Sequence, residues 1–321
     1  MPALSCGRFD PVRRALALIL ALLLAACAGA AKQDVTVLVA PGSSLKAAAN
    51  MLEDQGAIGS SSQFLRNAKL FGSDDPIKPG EYKIIKGMSD ADVLALLQSG
   101  KTLQRFFTVP EGMPSILVQE RLMAVPMLQG NVAVPAEGSI LPDSYAYQRG
   151  EARGAVMKRM QAAMTKTLAE LWAARKSTTI AKTPQEAVTL AAIVEKETGV
   201  AAERRQVAGV YSNRVRIGMK LQADPTVIYP VTRGKPLGRR ILRSELNAVN
   251  GYNTYAMAGL PIGPIANPGK ASIAAVLDPA STRALYFVAD GSGGHVFSDT
   301  LDQHNANVEK WFALRKAKGE M

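Results

Sequence analysis

The chain has 321 residues, room for about two domains. Hydrophobic residues make up 47% of it, enough for a sizeable core, and the formal charge of +11 points to an anionic partner such as nucleic acid, a phospholipid surface or another acidic polymer. Both cysteines, Cys6 and Cys27, precede the body of the chain, which excludes an internal disulfide, a zinc ribbon or a cysteine nucleophile after them, and two histidines, His295 and His304, are too few for a three-histidine metal site.

Arg13 and Arg14 precede residues 15–31, a stretch without charge at the lower length limit for crossing a bilayer, and Lys32 follows it. Two export readings fit. One is a retained single-pass anchor with the body outside the cytoplasm, and this is the expectation taken forward. The other is a lipoprotein signal, because Leu24-Ala25-Ala26-Cys27 places small residues before a lipidatable cysteine. Export argues against DNA or RNA as the anionic partner.

Residues 34–39 (DVTVLV) alternate polar and apolar and predict a strand. Pro41-Gly42-Ser43-Ser44 is a turn, and Ser44 caps a helix to about residue 55. A second short helix opens at Ser60. Pro79-Gly80 leads into a strand through Ile85, and Ser89 caps a further helix to Leu97. Residues 32–101 thus form a compact β-α-α-β-like unit. Residues 103–109 predict another strand. The segment from Glu137 to Tyr145 reads as a turn-rich connector, and residues 155–176 as a long amphipathic helix. The fold class is α+β: a small subdomain, then a larger mixed α/β domain.

Thr183-Pro184-Gln185-Glu186 is a capping box with Pro at the first helical position. The helix it starts is apolar until Glu195-Lys196-Glu197, and Thr198-Gly199 ends it. Helical spacing puts Glu197 on the face of Leu190 and Ile193, whereas Glu195 points with Val188 and Ala191. A carboxyl at the end of an apolar stripe, beside the negative end of the helix dipole, holds its proton more tightly than usual. Such a group can protonate a leaving oxygen near neutral pH. From spacing alone, a solvated Glu-Lys-Glu end cap is the simpler alternative.

A helix over residues 202–217 follows, with Val207, Val210, Tyr211 and Val215 as its apolar side. Gln222 and Asp224 then flank a second cap-like Asp-Pro pair. Tyr252-Asn253-Thr254-Tyr255 and the stiff Pro/Gly loop from Gly259 to Gly269 offer amides, hydroxyls and rings, a composition suited to sugars and equally to an ordinary connector. The apolar strands around Asp290-Gly291-Ser292-Gly293-Gly294 form a hairpin, and a helix over residues 301–316 closes the chain.

The run Leu190-Ala191-Ala192-Ile193-Val194-Glu195-Lys196-Glu197-Thr198 resembles the active-site helix of the endolytic murein transglycosylases, the MltG/YceG-like family. Further blocks match in family order: Glu203-Arg204, Asn213-Arg214, Leu221 to Tyr229, Tyr252 to Tyr255, Gly259-Leu260-Pro261, Pro264 to Gly269, Gly294 to Phe297 and His304-Asn305. The β-α-α-β unit resembles the family's LysM-like subdomain. The resemblance implies an inner-membrane enzyme facing the periplasm that cleaves nascent peptidoglycan strands internally at the MurNAc–GlcNAc β-1,4 bond, leaving a 1,6-anhydro-MurNAc end. It implies Glu197 as the catalytic residue and organises the chain as an anchor or signal (1–31), a LysM-like subdomain (32–101), a connector opening the YceG-like domain (102–182) and its catalytic core (183–321). Gln222, Asp224, Tyr252, Asn253, Tyr255 and Asn267 are expected to line the groove. The expected partners are glycan strands, the inner membrane and cell-wall synthases, with no nucleic acid, metal or organic cofactor. Two rival readings remain: a hydrolase on the same substrate, with Asp224 or Glu203 orienting water, and a non-catalytic peptidoglycan-binding scaffold for the synthases. A lipobox-like cysteine is unusual in this family, so Cys27 leaves the mode of anchoring open.

Overall fold

The computed structural model describes residues 30–319, apart from the side chain of Phe71. The chain divides into two compact units, the first ending at Arg105 and the second beginning at Phe106.

The N-terminal unit is a βααβ, LysM-like module with one added helix: β1 (Val35–Val39), α1 (Leu45–Asp54), α2 (Ser61–Phe71), β2 (Gly80–Ile84) and α3 (Asp90–Ser99). Its local signals act as read. The hydroxyl of Ser44 accepts from the Ala47 amide, Ser60 caps α2, and Ser89 with Asp92 forms a reciprocal capping box at α3. β1 and β2 pair antiparallel with Val37 opposite Tyr82, so Val37, Val39, Tyr82 and Ile84 face one core with Leu52, Phe64 and Leu97. The Tyr82 hydroxyl donates to the carbonyl of Lys78 at 2.7 Å, which lets a phenol sit fully buried.

The expected single-pass inner-membrane topology, with the body in the periplasm, is corrected. Among the described residues no helix is long and apolar enough to cross a membrane. The apolar run at residues 15–31 lies outside them except for its last two alanines. Ala31 is packed in the core of the N-terminal unit, where its N–H donates to the Met88 carbonyl and its own carbonyl accepts from Gly87. Cys27, and with it the lipid-anchor alternative, lies outside the described residues.

The second unit is a mixed α/β region. It holds β3 (Arg105–Thr108, whose first residue belongs to the preceding unit), α4 (Ser115–Met123), β4 (Ser144–Tyr147), α5 (Arg153–Ala173) and α6 (Pro184–Glu197). A 3-10 turn (Ala201–Glu203) leads into α7 (Arg204–Arg216), followed by α8 (Asp224–Thr232), α9 (Arg243–Asn247) and α10 (Lys270–Leu277). The hairpin β5 (Tyr286–Ala289) and β6 (His295–Ser298) precedes α11 (Leu301–Ala317). β3 pairs with β4, the next strand in the chain, across the helix between them.

α6 is the axis of this unit. Every residue from Ala187 to Val194 is buried, as expected of a helix that is apolar all round. α7 and α10 pack against it, and Leu190, Ile193 and Val194 join Val207, Tyr211, Ile273, Val276 and Leu277 in one cluster. At about 1.5–3 kcal/mol for each large aliphatic side chain fully removed from water, this packing fixes the helix, and so the position of whatever its end carries.

Candidate active site

The two acids at the end of α6 have different fates. Glu195 is committed: its Oε2 accepts the Gly269 N–H at 2.9 Å, and its Oε1 lies 3.6 Å from Arg204, which also pairs with Glu111. Among the described residues Glu197 has no ion-pair partner. Its Oε1 is buried without a hydrogen bond, while the residue as a whole keeps partial exposure where it lines a pocket. Burial pushes the Glu197 carboxyl up to about 7. The Tyr211 hydroxyl beside it pulls the other way, the Asp224 charge adds to the rise, and the charges of His295 and Arg214 oppose it.

The pocket, about 360 Å³, is lined by Glu197 from α6, Tyr211 and Arg214 from α7, Leu221, Gln222 and Asp224 at the entry to α8, Tyr255, Phe287 and His304. Gln222 has φ +52, a left-handed conformation that costs a non-glycine residue roughly 1–2 kcal/mol. A hydrogen-bonded knot holds it there. The Gln222 N–H donates to the Thr254 carbonyl at 3.2 Å, the Ala223 N–H to the Thr254 hydroxyl at 3.1 Å, and the hydroxyls of Thr226 and Thr254 lie 2.8 Å apart. This bend presents Gln222 and Asp224 to the pocket. The Tyr255 hydroxyl donates to Asp224 Oδ1 at 2.6 Å, and the phenol holds its proton well above its usual range through burial and the Asp224 carboxylate.

Of the six expected groove residues, Gln222, Asp224 and Tyr255 share the pocket with Glu197. The other three do not line it. The ring of Tyr252 packs 4.8 Å from that of Tyr229. Asn253 is fully buried, its amide donating to the carbonyls of Glu245, Leu246 and Ala248. Asn267 is fully buried as well: it accepts from the Ile140 N–H and donates to the Met113 carbonyl and the Ser115 hydroxyl. Both asparagines tie segments of the chain together, and their polar atoms are consumed by it.

Five pocket residues, Leu221 among them, were not singled out as groove residues from the sequence. Tyr211 reads there only as part of an apolar face. Arg214 is buried, with Nε on the Leu285 carbonyl at 2.6 Å and Nη1 on the Leu221 carbonyl at 2.7 Å, so it joins the hairpin to the pocket floor. Phe287 packs edge-on to Tyr211 at 5.8 Å. His304 arrives from α11, more than a hundred residues from Glu197 in sequence; only the His304-Asn305 block hinted at it.

Glu203, a rival water-orienting group, pairs instead with His295: Oε2 lies 2.8 Å from Nδ1, Oε1 accepts the His295 N–H, and the Thr198 hydroxyl donates to Oε2. Burial opposes its charge, but these hydrogen bonds outweigh that and hold its carboxyl below the usual range. The N-terminal unit carries its own cleft of about 440 Å³, lined among others by Asn67, Asp90 and Gln98, but Asp90 is its sole ionisable lining residue.

The family model for the YceG-like family matches residues 37–310. The chain belongs to the YceG-like family. It is 28% identical over 319 residues to an endolytic murein transglycosylase of Bacillus subtilis, covering 89% of this chain and 87% of that one. It is 28% identical over 326 residues to the Streptococcus pneumoniae protein of the same name, covering 86% of this chain but 58% of the longer relative. A crystal structure of a yceG-like protein from Listeria monocytogenes superposes with a TM-score of 0.52 at 26% identity, over 86% of this chain and 99% of that one. Membership in this family of endolytic murein transglycosylases gives the pocket around Glu197 a chemical context.

Asp224→Asn is an informative change within it. The amide oxygen still accepts from Tyr255, but the charge that raises Glu197 is gone. The basic limb of the pH–rate profile is therefore expected to move to lower pH; an unmoved limb would mean that Asp224 does not act on Glu197.

Proposed function

We propose that this protein is a peptidoglycan lytic transglycosylase that cuts glycan strands internally, with Glu197 as its single acid/base. The observation that carries this is the Glu197 carboxyl, without a cationic partner among the described residues, sheltered at the end of a buried helix and open to a polar pocket, its proton held up to about 7. The names and similarity of its relatives support the substrate class.

In this reading the protonated Glu197 gives its proton to the glycosidic oxygen of a MurNAc–GlcNAc β-1,4 bond as that bond breaks. The C6 hydroxyl of the same MurNAc attacks C1, and the Glu197 carboxylate takes the hydroxyl proton. The C1–O6 bond closes a 1,6-anhydro ring, the departing sugar leaves as an alcohol, and Glu197 ends protonated as it began. No water is consumed. Two flanking carboxylates are the rule for hydrolytic glycosidases; one suffices here because the nucleophile belongs to the substrate.

Digestion of purified sacculi, with product masses read out, tests the proposal. New ends one water lighter than reducing ends are expected. Only reducing ends would establish a hydrolase on the same bond, and undigested sacculi would favour a non-catalytic binding scaffold.

A further inference from the structure

We infer that His304 is a sugar-contacting residue of the pocket, its imidazole hydrogen-bonding a hydroxyl or acetamido group of the amino-sugar unit that lies beside Glu197. The inference deepens the glycan reading of the pocket and rests on it.

The ring of His304 is fixed. It stacks on Tyr286 with centroids 5.1 Å apart and planes 21° from parallel, and Arg214 sits 5.3 Å from the same tyrosine ring. Its Nδ1 is buried with no hydrogen-bond partner among the described residues. A ring held rigidly at a pocket wall with its hydrogen-bonding capacity unused is prepared for something that enters the pocket. Two of the neighbouring polar groups are spoken for: Tyr255 donates to Asp224, and Arg214 is spent on backbone carbonyls.

The electrostatics agree with this placement. Burial and the Arg214 charge lower the proton affinity of His304, so its imidazole is neutral near pH 7. A neutral imidazole offers one donor and one acceptor, the pattern of a sugar hydroxyl or an amide. An imidazolium at the same wall would favour ionised Glu197 and work against an acid that must keep its proton. The other titratable groups around this pocket are Tyr286 on β5, Tyr211 and Arg214 on α7, Glu197 on α6, and Asp224 and Tyr255 near the entry to α8.

The test is calorimetric titration of the full chain with a hexasaccharide of alternating GlcNAc and MurNAc, in a Glu197→Gln background that prevents turnover. His304→Ala is expected to weaken Kd about tenfold, and His304→Gln, which keeps a donor and an acceptor, to stay within about threefold. Should His304→Ala not fold, the His304 ring nitrogen resonances of the unsubstituted histidine are followed instead, and they are expected to shift on saturation with the hexasaccharide. Equal affinity in His304→Ala, unmoved resonances, or no hexasaccharide binding at all would overturn the inference. Cleavage of the hexasaccharide by the Glu197→Gln protein would overturn the acid/base role of Glu197, while the resonance measurement would still report on His304.

Discussion

Glu197→Gln is expected to lower the rate of glycan cleavage by about 10²–10⁴-fold, the usual contribution of a general acid/base, and to make the folded protein more stable at alkaline pH. Both effects follow from one property. Burial, aided by Asp224, raises the Glu197 carboxyl from 4.5 to about 7 against the pull of Tyr211, His295 and Arg214. The native state therefore binds more protons than the unfolded chain between those two values. The stability tied to that proton is fully present below about 4.5 and lost as pH rises through about 7. Glutamine cannot ionise, so above pH 7 the variant avoids a desolvated charge, a gain of about 3 kcal/mol. Denaturant melts at pH 4.5 and 8.5 should show the difference only at the higher value. Activity of the wild type should fall across the same interval, since the ionised carboxylate has no proton to give. A variant that cleaves like wild type, or that matches wild-type stability at both pH values, would remove Glu197 from the role given to it.

Much of the fold was legible because its signals are local. Caps at Ser44, Ser60, Ser89 and Thr183 each mark a helix start with a side-chain oxygen on a backbone N–H, and no distant residue is needed to read them. The hairpin from Tyr286 to Ser298 declares itself through its glycine-rich turn. What stayed hidden is what depends on distant partners. β4 lies in a stretch that reads as a turn-rich connector, and it becomes a strand because it pairs with β3, about forty residues earlier. The short apolar helix α10 carries no polar face to set its period and is defined by packing against α6 and α7.

The same distinction governs the site. Helical periodicity separates Glu195 from Glu197, and the structure adds why that separation matters: Glu195 has Arg204 and the Gly269 N–H, while Glu197 has neither. Which amide faces the pocket and which holds the scaffold cannot be read from residue type. Gln222 and Asn267 look equally suited to a sugar in sequence. The left-handed bend at Gln222 turns it outward, whereas Asn267 is enclosed by segments from Met113, Ser115 and Ile140. His304 and Arg214 were hidden for the opposite reason: their place depends on α11 and the hairpin folding back onto α6 and α7.

Asn267→Ala is accordingly expected to act on stability and not on sugar contact. Removing the amide leaves the Ile140 N–H without its acceptor and strips Ser115 and Met113 of a donor, all in a fully buried setting. It also leaves Glu137 with one fewer donor. Burial already raises that carboxyl, although Ser115 and Tyr229 counter the rise. Buried groups left without partners cost about 1–3 kcal/mol each, and partial rearrangement should hold the total to about 2–4 kcal/mol. For a unit of this size that corresponds to a fall in melting temperature of roughly 5–12 °C. Hexasaccharide affinity measured well below the new melting point should stay within about twofold, in contrast to the loss expected for His304→Ala. A variant that melts like wild type yet binds sugar poorly would return Asn267 to the groove and undo its assignment as a buried tie.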